Sequence, residues 1–238
     1  MKKAFTMLEL IFVLIVAGIL AALIMPRMER NPTYEAGVQL LSHIRYAQHL
    51  AMINDQYDTG DNQWYLERWQ VYFPVGGQTY TVYSDTDHNG QVDQVGTYTS
   101  VEAAINPTTK NTYLIGSANG TFTDTNRLSK ELNLNTKYGI TTIHVNGGAV
   151  GTNARRIIFD NLGRLYQGTT NAGDPGVIVS PTDSVATGAM FVKLCSEDAV
   201  CNNNDTPANS DNEVVIRIDN ETGYACLLQQ GSNVNCLD

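Results

Sequence analysis

Between Lys3 and Arg27 the chain carries one charge, the carboxylate of Glu9, in a stretch that is otherwise uncharged. The run from Phe5 to Met25 is 21 residues, and as a helix it would measure about 31 Å against roughly 30 Å of bilayer hydrocarbon. A carboxylate inside such a run costs about 2.5–3.5 kcal/mol on insertion scales. An ordinary secretory signal has a shorter apolar core and a small-residue cleavage site. Here the run closes on Ile24-Met25-Pro26-Arg27. A plain membrane anchor accounts for the length and leaves Glu9 unexplained. The economical reading is an acid that meets a cation inside an assembly.

The context Lys2-Lys3-Ala4-Phe5-Thr6-Met7-Leu8-Glu9 resembles the class III signal of type IV pilins and type II secretion pseudopilins. The resemblance implies that a prepilin peptidase cuts between Ala4 and Phe5 and that the new amine of Phe5 is N-methylated. It also implies that Glu9 pairs with that amine on a neighbouring subunit as a filament grows. The family usually has Gly before the cut and this chain has Ala4; the small size is kept, so cleavage is expected. The implied location is the inner membrane, as a single-pass protein with its head in the periplasm, and then a pseudopilus or surface pilus. The implied partners are the prepilin peptidase, other pilins or pseudopilins through the N-terminal helix, and an inner-membrane assembly platform.

The chain of 238 residues has a formal charge of −9, and loss of Lys2 and Lys3 with a leader makes it two units more negative. Such a surface repels phosphate backbones. Arg155 and Arg156 are the only adjacent basic pair in the head, so nucleic acid is not expected as a partner. DNA capture for uptake, known in this group, is the weaker alternative, as is a non-assembling anchored domain. No G-x-S-x-G, H-E-x-x-H or P-loop occurs, so neither an enzyme nor an organic cofactor is expected.

Four regions are expected: a leader over 1–4, an apolar filament-core helix over 5–26, its amphipathic continuation over 27–57, and a β-rich head over 58–238. Pro26 and Pro32 should kink or loosen the helix. In the continuation, Val38, Leu41, Ile44, Ala47 and Ala51 mark one apolar face, with His43, Arg45 and His49 on the wetter side. Strand patterns follow over 69–73, 79–83, 140–145, 156–159, 177–179, 190–194, 214–218 and 224–228. The region 97–137 has no clear pattern. The expected fold is α+β: a long N-terminal hydrophobic helix, the spine of a pilin, packed on an antiparallel sheet.

Two phrases, Ile158-Phe159-Asp160-Asn161-Leu162-Gly163-Arg164 and Ile216-Arg217-Ile218-Asp219-Asn220-Glu221-Thr222-Gly223-Tyr224, resemble the two hairpins of the GspH/FimT group of minor pseudopilins and pilins. Gly163 and Gly223 would supply the positive φ that such turns need. This resemblance implies a minor subunit, and it leaves pilus and secretion pseudopilus equally open.

The sharpest constellation in the head is Asp85-Thr86-Asp87-His88-Asn89-Gly90-Gln91-Val92-Asp93. Oxygens from Asp85, Asp87, Asn89 and Asp93, with the Gln91 carbonyl and a glycine at the sixth place, match the front of a calcium loop. Gly96 stands where the loop's closing glutamate belongs, so a water or a remote acid must complete the set. A polar hairpin turn with Asx caps is the competing reading. Cys195, Cys201, Cys226 and Cys236 allow three pairings, and the residues alone leave the choice open. Sequential pairing is preferred because Cys226–Cys236 would tie down the tail, and the pilin resemblance implies such a staple. Zinc is disfavoured by the absence of C-x₂-C spacing and of a nearby His.

Overall fold

The computed structural model describes residues 6–24, 31–74, 77–88, 92, 94–95, 100–117, 122, 124–147, 156–166, 186, 188–196, 201, 205–208 and 211–237. The chain divides into two compact units, Met1–Asn31 and Pro32–Asp238.

The first unit holds one helix, α1 (Met7–Ile24, 18 residues). A span needs about 20 apolar residues, and among the described residues no helix is long and apolar enough to cross a membrane. The expected single-pass inner-membrane placement is corrected on that ground. So is the long spine. The helix expected to run from 5 to 57 is two helices, because Asn31 is outside helical structure and α2 (Pro32–Ile53) starts afresh after it. Pro32 does not kink a continuous helix; it opens the second one, where its missing N–H would have had no helical partner. Pro26 lies outside the described residues.

In the second unit α2 packs on two antiparallel sheets, not one. The first sheet has the order β2-β1-β6-β7, built from β1 (Gln70–Tyr72), β2 (Thr81–Tyr83), β6 (Arg156–Phe159) and β7 (Leu165–Tyr166). The second has the order β10-β9-β8-β5, from β5 (Ile140–Gly147), β8 (Met190–Ser196), β9 (Glu213–Ile218) and β10 (Ala225–Leu227). A separate ribbon pairs β3 (Gln94–Val95) with β4 (Ser100–Val101). A short helix, α3 (Leu134–Tyr138), is capped by the Asn133 side chain. The strand expected over 177–179 lies outside the described residues.

Contact with both sheets widens the buried arc of α2 beyond a single stripe. Leu40, Ile44 and Ala47 are fully buried in one core with Val71 and Ile157 of the first sheet and Val192 and Ile216 of the second. Two placements read from periodicity are corrected. Val38 is exposed, and His43 is buried, because its face of α2 meets Tyr80 instead of water. His43 Nδ1 lies 2.7 Å from the Tyr80 hydroxyl, which also accepts from Gln39 Nε2 at 3.0 Å. Burial pulls the His43 pKa down to about 4, opposed by the nearby Glu131 carboxylate. Arg45 and His49 are exposed as expected.

The patternless region has a structural task. Val82 N–H donates to Leu114 O (3.0 Å), Ala104 N–H to Val82 O (2.9 Å) and Ser84 N–H to Glu102 O (3.1 Å). The segment 102–116 thus covers the free edge of β2 by isolated bridges, a management of an edge strand that hydrophobic alternation does not announce.

Candidate functional site

Glu9 lies in the first turn of α1. Its N–H donates to Thr6 O at 3.1 Å and to Thr6 Oγ1 at 3.3 Å, so Thr6 and Glu9 stand in the spacing of a capping box. A carboxylate there also favours the helix dipole. This local role of Glu9 was not read from the sequence, although Thr6-x-x-Glu9 is its signature. All described side chains of the helix, from Met7 through Leu20, are exposed around its whole circumference. A helix apolar all round is one that something else buries. Ala4 and Phe5 lie outside the described residues.

The carboxylate loop follows directly after β2. Asp85 is buried and Asp87 is exposed, while Asn89, Gln91 and Asp93 lie outside the described residues. The bridging of 102–116 to β2 delivers a third acid, the buried Glu102. Its Oε1 accepts from Thr86 N–H (2.7 Å), Thr86 Oγ1 (3.1 Å) and Asp87 N–H (3.1 Å). Asp85, Asp87 and Glu102 each offer an oxygen within 4.8 Å of the others. Two oxygens on one calcium are at most about 5 Å apart, given bonds of 2.3–2.6 Å. The all-oxygen donor set therefore fits a hard divalent cation. Glu102 escaped the sequence reading because it reaches the loop through tertiary pairing, with no spacing rule to flag it.

The neighbouring His88 adopts a positive φ of 63°. Its Nε2 lies 3.1 Å from Glu67 Oε1 and 3.4 Å from Asp61 Oδ2, contacts that fasten the loop to the segment before β1. The cysteines pair in chain order, Cys195–Cys201 and Cys226–Cys236. The second bond ties the tail to β10, beside the Leu228–Cys236 bridge.

The two turns singled out in the sequence meet in space. Gly163 (φ 78°) and Gly223 (φ 64°) close the β6–β7 and β9–β10 turns. Gln48 of α2 clips both, its Nε2 donating to Gly163 O at 2.8 Å and to Thr222 O at 2.9 Å. The turns are thus one structural joint between the sheets. Comparison with protein-family models, with curated proteins and with solved structures found no match for this chain.

Proposed function

We propose that the chain is a structural subunit of a pilin-like filament, a type IV pilus or a secretion pseudopilus, cleaved before Phe5 by a prepilin peptidase and polymerised through α1. The observation that carries this reading is α1 itself, apolar on every side, with its described side chains exposed and one acid near its start. Packed among copies or related subunits, the helix loses its apolar surface to the assembly. Glu9 then sets register, because in low dielectric only the stagger that brings a cation to it is tolerated.

Glu9→Gln separates this role from helix capping, since glutamine serves a capping box as well as glutamate does. The expected result is a fall of about tenfold or more in the polymerised fraction with an unchanged melt of the head. Thr6→Ala should leave polymerisation near normal. Mass spectrometry of the mature chain should find N-methyl-Phe5 at its start. Wild-type polymerisation of Glu9→Gln, or an intact Met1, would overturn the proposal.

A second reading concerns the loop at Asp85. The convergence of Asp85, Asp87 and Glu102 supports calcium as a structural ion that holds this loop to the segment 102–116 beside β2. Calcium at about 100 times its Kd should stabilise the protein by about 2.7 kcal/mol. A thermal melt would report this as a rise of several degrees that Glu102→Gln abolishes. An unchanged melt in millimolar calcium would sink the site.

A further inference from the structure

At the C-terminal end of α2 the head contains a cavity of about 170 Å³ that no part of the filament reading uses. Its walls are aromatic, with Tyr57, Trp64, Trp69 and Phe159, and its polar lining includes Arg68 and Asp55. Trp64 stands edge-on to Tyr57, with centroids 5.0 Å apart and planes at 78°.

Arg68 is the unusual member. It makes no ion pair among the described residues, in a chain with a large excess of acids. Its guanidinium lies over two rings, 3.7 Å from the centroid of Tyr166 and 4.8 Å from that of Trp64. Its Nη1 is buried without a hydrogen-bond partner, and the same holds for the indole Nε1 of Trp69. Both orphans are donors with no acceptor function, and leaving such groups dry and unpaired is among the costlier arrangements in a protein interior. The acid on the wall does not serve them. Asp55 Oδ1 accepts from Tyr57 N–H and Oδ2 from Asn161 Nδ2, each at 3.1 Å.

We propose that this cavity binds a carboxylate carried on a small apolar or aromatic body, with Arg68 as the anion receptor beside the indole of Trp69. An ionised carboxylate is acceptor-only and matches the donor-only guanidinium, where a hydroxyl, itself a donor, matches less well. The cavity is below the roughly 300–1,000 Å³ of drug-sized pockets, so the body is about one ring. Both orphan nitrogens are withdrawn from solvent. Binding therefore requires Arg68 to turn out of its stack on Trp64, which changes the indole environment. The carboxylate belongs either to a free small acid or to the C-terminus of a peptide, which present the same chemistry.

The chain has two tryptophans, and both line this cavity, so tryptophan fluorescence excited away from tyrosine reports on it. The full chain is titrated with benzoate, benzamide and N-acetylphenylalanine. Saturable quenching or shift with benzoate is expected, weaker by about tenfold or more with benzamide, which keeps the shape and lacks the charge. Arg68→Met, which keeps the stem packed on the rings, should weaken benzoate to a similar degree. Tighter binding of N-acetylphenylalanine than of benzoate assigns the ligand to a chain terminus, and the reverse assigns it to a free acid. No saturation with either acid in the wild-type chain overturns the proposal, whatever the variant does. Equal binding of benzoate and benzamide overturns it as well.

Discussion

Replacing Lys193 by methionine is expected to destabilise the head by about 3–5 kcal/mol, a large part of the roughly 5–15 kcal/mol that holds a domain together. Lys193 projects from β8 and Glu213 from the neighbouring β9; Nζ and Oε2 are 2.7 Å apart, with side chains only 2% and 3% exposed. Glu213 Oε1 also accepts from the Ala208 N–H, so the acid is held from both ends. Methionine fills the volume of the lysine stem, which removes packing from the comparison. What remains is a buried carboxylate stripped of its cation. The double variant Lys193→Met, Glu213→Leu should recover most of the loss, since an apolar pair of similar volume is often as stable as a buried ion pair. Urea midpoints of the two single variants and the double variant close the cycle. A loss below about 1 kcal/mol for Lys193→Met, the range of exposed pairs, would mean that water reaches this pair. A second readout is His144, which faces Lys193 across β5 and β8. Its pKa is lowered first by burial and then by the Lys193 charge, so it should rise in Lys193→Met and remain below the ordinary value.

The features legible in the sequence are those set by neighbours along the chain. A short apolar, β-branched run placed the strand 156–159 to the residue, and a turn-forming glycine at 163 and 223 marked the ends of two hairpins. Glu9 stood out because a charge in an apolar run needs no partner to be conspicuous. The misread features are set by partners far away. His43 changed sides because its face of α2 meets Tyr80, and helical periodicity cannot count the layers around a helix; nothing in the structure explains the exposure of Val38. The single helix expected over 5–57 failed at Asn31, where composition stays compatible with helix and Pro32 serves equally as an interruption or a start. Glu102 and Glu67, the acids that meet the loop at Asp85–His88, arrive through pairing across the edge of β2 and through a segment before β1. Trp69 looks like an ordinary strand residue and Arg68 like its polar flank until the cavity beside them is seen. In each case the missing information was which distant segment shares a surface.

Gly223→Ala is expected to lower stability by about 2–5 kcal/mol, and the reason lies outside its own turn. A left-handed residue with a Cβ costs about 1–2 kcal/mol in any setting. At Gly223 the added atom would also sit 1.9 Å from the carbonyl oxygen of Gly163 and 2.5 Å from Gln48 Nε2. The carbonyl belongs to backbone of the other sheet's hairpin and cannot swing aside as a side-chain end would. The two turns must therefore separate, releasing the Gln48 clip that holds both, and overpacking of this kind adds about 1–3 kcal/mol. Gly139 provides the internal control. It has nearly the same φ, 71°, at the end of α3, and a Cβ there would meet nothing within 4 Å. Gly139→Ala should thus show the conformational part alone, about 1–2 kcal/mol. The difference between the two urea midpoints isolates the contact between the hairpins. Equal losses at the two positions would show that the turns are not pressed together at Gly223. A markedly larger loss at Gly223 would make the turn-to-turn contact a joint of the head, and would explain why both turns carry a glycine where each strand pair ends.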